Sequence, residues 1–131
     1  MPVNVEWDNE THTIIRYDVQ DPWELEEYSQ ALDETWTLID AECHPVHVVV
    51  DLSDAFSFPK HLFSIAVRTN TQIHPRQNFV IGVKVSPYLQ TMVRVAARFY
   101  PRLGHNLLFA HTLHEAYNII QTYEVISALK D

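Results

Sequence analysis

Cysteine occurs once in this chain, at Cys43, which excludes an internal disulfide and a cysteine-based metal site. Glycine occurs twice, at Gly82 and Gly104. Phosphate-cradling loops need several glycines so that the backbone can approach the ligand. Neither G-x-G-x-x-G nor a P-loop is present, so classical nucleotide binding is excluded and no cofactor is expected. No apolar run reaches the roughly 18 residues of a membrane span. The opening MPVNVEWDNE has no basic region followed by an apolar stretch, so it does not read as a signal peptide. A cytoplasmic location fits these absences. Acid, too, is missing from one long stretch: residues 55–114 hold seven bases and no Asp or Glu.

What is present is ordinary globular composition, 47% hydrophobic and 20% charged over 131 residues, which predicts one domain over 1–131 with a proper core. The net charge of −8 argues against nucleic acid, whose phosphates require a basic surface. Residues 1–54 carry fourteen acids against a single base, Arg16. Two readings of this segregation are open. Helices on different faces of a sheet can simply carry different solvated charge. Alternatively, an acidic face of one subunit meets a basic face of another, or steers a partner.

Val3, Val5 and Trp7 alternate with polar residues as in a strand. Asp8 to Thr11 reads as a turn, and Thr13 to Val19 returns as a second strand. Asp21-Pro22-Trp23-Glu24 joins a cap, a proline at the first helical position and an acid three residues on, so a helix is predicted from there to about Glu42. Val46 to Leu52 is a continuous apolar run, as in a strand buried on both faces. A second helix is predicted from Pro59 to Ile73, a strand over Phe79 to Val85, and a third helix opened by Ser86-Pro87 with Gly104 at its C-cap. Asn106 to Ala110 is the last strand. Thr112 to Glu115 is a capping box before a fourth helix that turns Ala116, Ile119, Ile120 and Tyr123 inward. The order ββαβαβαβα predicts a mixed α/β sheet of five strands with four helices: an antiparallel N-terminal hairpin, then parallel strands joined by right-handed crossovers. In open sheets of this kind, ligands and partners bind in the crevice beyond the strand C-termini, here after Asp51.

Eight histidines raise the question of a metal. His44, His74 and His105 fall at three helix-to-strand junctions on one sheet edge, with His47 near them. Sharing an edge does not make ligands converge, and each imidazole can instead cap helix carbonyls, so no metal is expected. At the opposite edge, a Ser–His–Asp set can be drawn among Asp51, Ser53, Asp54, Ser57, Lys60, His61, Ser86, His111 and His114. No G-x-S-x-G or other nucleophile context supports it, and small polar residues at strand ends usually form turns and caps. No catalytic residue is assigned. Arg94, Arg98 and Arg102 are four apart, forming a predicted ridge on the third helix. The ridge is either solvated or an oligomer interface against the acids of the first helix, Glu24, Glu27, Asp33 and Glu34. Trp23 and Trp36, thirteen residues apart on one helix, would diverge by about 140°, leaving one at a margin.

The element order, with DLSDAFSFPKHL after the central strand and LLFAHTLHEAYNII near the end, resembles the STAS fold of anti-sigma-factor antagonists, and most of all its divergent SpoIIAA-like branch. That superfamily includes Sec14-type lipid-binding relatives. In its signalling members, the strand's D-L-S is followed by a loop and an Asp-Ser pair whose serine is phosphorylated by a partner kinase. Asp51-Leu52-Ser53 matches the D-L-S, but the Asp-Ser pair falls on Pro59-Lys60. The resemblance therefore implies a non-enzymatic protein-interaction module without the phosphoserine switch. Its partner would dock on Asp51, Ser53, Asp54, Ser57, Lys60, His61 and Ser86, and self-association would use Arg94, Arg98 and Arg102. The alternative it implies is a small apolar or lipid ligand, held in a cavity lined by residues such as Phe63, Met92 and Phe99.

Overall fold

A computed structural model describes residues 3–55 and 62–130. Val3–Trp7 (β1) and Ile14–Gln20 (β2) form an antiparallel hairpin. Its turn is closed by Asn9, whose Oδ1 accepts from the amides of Thr13 at 3.0 Å and Ile14 at 3.2 Å. There follow Leu25–Asp40 (α1), Val46–Asp54 (β3), Leu62–Thr71 (α2), Gln77–Val83 (β4), Pro87–Phe99 (α3), Pro101–Gly104 (α4), Leu107–Ala110 (β5) and Leu113–Lys130 (α5). The sheet order is β1-β2-β3-β4-β5, and every pairing after the first is parallel. The mixed five-stranded α/β sheet is therefore as the sequence indicates, with a fifth, short helix added.

A strand order that advances in one direction through right-handed crossovers returns every connecting helix to the same face. Accordingly α1, α2 and the α3–α4 pair share one layer, while α5 lies across β3, β4 and β5 on the other side. The order also never reverses, so the sheet has no topological switch point. Strand order alone therefore forms no crevice after Asp51. Strand β3 explains the two-sided core: Val46, Val48 and Leu52 pack under the α1–α3 layer, and Val49 packs under α5 with Ile81, Ala116 and Ile120. Each such buried side chain contributes about 1.5–3 kcal/mol, which makes β3 the energetic centre of the fold.

Three local expectations are corrected. The first helix begins at Leu25 rather than Pro22, with Glu24 at the N-cap position and no side-chain cap. Trp23 lies before the helix and is buried in the core, so it does not share a helix with Trp36, which sits at the margin against His74 with ring centroids 4.5 Å apart. The third helix stops at Phe99, because Pro101 cannot continue it, and α4 starts afresh. Gly104 then ends α4 instead of capping α3. Its φ is not positive; the position is small because a Cβ there would stand 2.9 Å from that of Ala97. By contrast, Ser86 caps α3 by accepting from the Leu89 amide at 3.2 Å. Thr112 caps α5 by accepting from Glu115 N at 3.0 Å, while Glu115 reaches back one residue past the cap and accepts from His111 N at 3.4 Å.

Candidate partner-docking rim

Strands β3, β4 and β5 all end at one edge, at Asp54, Val83 and Ala110. Asp51 stands on β3 between Asp18 of β2 and Val83 of β4. Its Oδ1 accepts from the Ser53 amide at 2.9 Å and the Ser53 hydroxyl at 2.5 Å, so the carboxylate fixes the exit of its own strand. Asp54 pairs in register with Gln20 and is exposed. Ser86 is exposed on the same edge, with its hydroxyl engaged as the α3 cap. The structure thus brings Asp51, Ser53, Asp54 and Ser86 to one edge. Ser57, Lys60 and His61 lie outside the described residues.

Lys84, an exposed residue at this edge, was not anticipated from sequence. It takes a left-handed conformation, φ 57°, while its amide bonds to the Ala110 carbonyl at 3.0 Å. A lone base directly after a strand and two residues before a helix cap was the available signal. Among the described residues no hydrogen bond joins Asp51 or Ser53 to a histidine; the Asp51 carboxylate is engaged by Ser53.

Behind the rim, Arg16 holds three carboxylates: Glu6 at 2.7 Å, Asp8 at 2.5 Å and Asp18 at 3.1 Å. Tyr117 of α5 donates to Asp8 and links this network to the last helix. Partial burial opposes the Arg16 charge. Its hydrogen bonds with Tyr117 and Asp18 and the fields of Asp8 and Asp18 outweigh that, and its pKa is raised.

Two bases of the acid-free stretch meet acids of the first half within the chain. Arg68 of α2 reaches Asp33 of α1 at 3.2 Å, and Arg76 approaches Asp40 at 3.8 Å. The Gln72 amide, at 2.5 Å, and then the Arg68 charge hold the Asp33 carboxyl below its usual range. The arginine ridge is corrected: Arg94 and Arg98 are exposed on α3, but Arg102 belongs to α4 and donates to the Ile73 carbonyl at 2.8 Å. Arg94 covers the Phe109 ring at 5.0 Å.

The histidine edge separates into individual roles. His44 lies 3.1 Å from its neighbouring carbonyl, that of Pro45. His74 is buried, accepts from the Arg76 amide at 3.0 Å and meets Asp40 at 3.2 Å. His47 points to the α5 side, where its Nδ1 accepts from the Phe79 amide at 3.3 Å. The contacts of His44 and His74 are not the helix-carbonyl caps expected from sequence. Among the described residues, no group of three or more His, Cys, Asp or Glu is placed to hold a metal ion.

An apolar cavity of about 120 Å³ lies between α2, α3 and the sheet, walled by residues including Ile65, Leu89, Ala96 and Phe109. Phe63 and Phe99, expected to line such a cavity, are instead 53% and 71% exposed on the outer surface. Met92, half-buried, is not among its walls either.

A sheet of one antiparallel and three parallel pairings, with its crossover helices gathered on one face and the last helix on the other, defines a STAS-like fold. An anti-sigma-factor antagonist (STAS) domain protein from Planctomyces limnophilus has this architecture, with a TM-score of 0.54 over 86% of this chain and 92% of its own, at 13% identity. No family model matches the sequence, and no curated protein matches it. Among the described residues, no helix is long and apolar enough to cross a membrane.

Proposed function

We propose that this chain is a non-enzymatic regulatory module that binds a protein partner, in the cytoplasm of a bacterial type of cell, without a phosphoserine switch. The observation that carries the reading is the Asp51-Leu52-Ser53 strand end, held by its own side-chain contacts at an exposed polar edge of a STAS-like fold. The docking surface comprises Asp51, Ser53, Asp54 and Ser86, completed by Ser57, Lys60 and His61 of the intervening segment. Lysine at position 60 puts a cation where the resemblance would put a phosphorylated serine. The relative is itself named as an anti-sigma-factor antagonist, so a protein partner is the closest analogy.

The test is affinity capture from extracts of the source cells, comparing the wild type with Asp54→Lys and Lys60→Glu. Rim charge reversal is expected to lower retention of the specific partner at least tenfold while leaving the fold intact, since like-charge contacts cost several kcal/mol. Equal retention by all three proteins contradicts the assignment.

Self-association through Arg94 and Arg98 is a second part of the proposal, supported by their exposure beside Tyr88, Val95 and Phe99 on α3. Sedimentation at low salt is expected to show Arg94→Gln/Arg98→Gln shifted from dimer towards monomer, because exposed charge pairs are strongest where screening is weakest. An unchanged mass removes this interface.

A further inference from the structure

The cavity under α2 and α3 has a feature that packing does not account for. Among the described residues, its walls carry no charged side chain. Their polar atoms are few: Thr69 Oγ1 lies 2.8 Å from the Ile65 carbonyl and 3.3 Å from Tyr28 Oη, so these groups serve one another. Trp23, also a wall residue and only 8% exposed, has a buried indole Nε1 to which none of the described residues offers an acceptor. A buried donor without an acceptor is a standing cost, and buried indoles normally find a partner. A water held at such a place needs two to four polar partners, which these apolar walls supply poorly.

We infer that the cavity is a binding site for a small, uncharged, largely apolar molecule carrying one hydrogen-bond acceptor, which Trp23 Nε1–H would satisfy. Size sets the class. An enclosed apolar cavity of about 150 Å³ accepts benzene, so this pocket of about 120 Å³, partly open to solvent, admits a short branched chain or a single ring with one edge at its mouth. An extended acyl chain would leave most of its length outside this volume, which separates this site from the lipid alternative raised by the sequence. The absence of charged walls excludes carboxylates and amines, whose desolvation nothing would offset. The site lies beneath helices whose N-terminal ends adjoin the rim (Ser86 caps α3), so occupancy would stiffen the layer that supports the docking surface. The inference stands whether or not that surface binds a protein.

The experiment uses the full chain, 15N-labelled, with cyclohexanone as the probe and methylenecyclohexane as its near-isosteric control lacking the ketone oxygen. Trp23→Phe identifies the Trp23 indole resonance. Cyclohexanone is expected to move that resonance downfield saturably, and to bind about tenfold more tightly than methylenecyclohexane, the worth of one hydrogen bond. In Trp23→Phe the preference is expected to fall to about one while both probes still bind. Ala96→Leu, which fills the cavity, is expected to abolish binding of both. If that variant fails to fold, the Trp23→Phe comparison decides alone. Overturning results are an indole resonance that cyclohexanone leaves in place up to its solubility, equal affinity for the two probes, or an undiminished preference in Trp23→Phe.

Discussion

Replacing Tyr17 by alanine is expected to destabilise the fold by about 4 kcal/mol, whereas phenylalanine at the same position costs about 1 kcal/mol. Tyr17 is the largest fully buried side chain, projecting from β2 under α1. Its ring meets Tyr28 edge-on, with centroids 6.3 Å apart, and its hydroxyl bonds to that of Thr35. Thr35 also donates to the Ala31 carbonyl at 2.7 Å, so it keeps an acceptor when the tyrosine hydroxyl is lost, which is why phenylalanine is tolerated. Alanine leaves a cavity at the joint between the hairpin and the first helix. Domains of this size are stable by only about 5–15 kcal/mol, so the loss should be plain in a urea midpoint. An alanine variant within about 1 kcal/mol of wild type would contradict the packing described.

Acid should weaken the fold through His47. Burial pushes this imidazole down to about 4, from an ordinary value of 6.5. It is enclosed by Phe79 and Tyr123, and Glu124 approaches its Nε2 at 3.6 Å. Nδ1 accepts from the Phe79 amide, so the neutral ring carries its proton on Nε2. Above about pH 7.5 the folded and unfolded chains are both neutral here, and the group's contribution is constant. As pH falls towards 4 the unfolded chain takes up a proton that the folded chain refuses, and stability drops by about 2 kcal/mol by pH 5 and about 3 by pH 4. Urea unfolding across this window should show that slope, and His47→Gln should flatten it. An equal slope in both proteins would mean that His47 is not held neutral.

The run Val46 to Leu52 announced the two-sided strand because successive side chains point to opposite faces, with Val46, Val48, Val50 and Leu52 on one and Val49 on the other. Ser86-Pro87 and the Thr112 to Glu115 box fixed two helix starts by local hydrogen bonding, which sequence displays directly. The first helix start was not legible in the same way. Asp21-Pro22 has the local pattern of a cap, but burying Trp23 in the core draws the chain inward and delays the helix to Leu25. Pro101 was a visible signal of the break that separates Arg102 from Arg94 and Arg98, though the four-residue spacing concealed it. Phe63 and Phe99 illustrate a further limit: hydrophobicity says that a residue prefers burial, while helix phase and the reach of the sheet decide whether it gets it. Of the docking rim, the aspartates and Ser86 were readable as strand-end and cap residues. Their convergence depended on strand direction, which came from crossover handedness rather than from any one motif.

Hydrogen–deuterium exchange of the chain alone and in complex with its captured protein partner tests the docking rim most directly. Slowed exchange is expected at residues 51–61 and 84–87, with α5 unchanged. Protection confined to α5 or to the outer face of α3, with the rim exchanging as in the free chain, would contradict it.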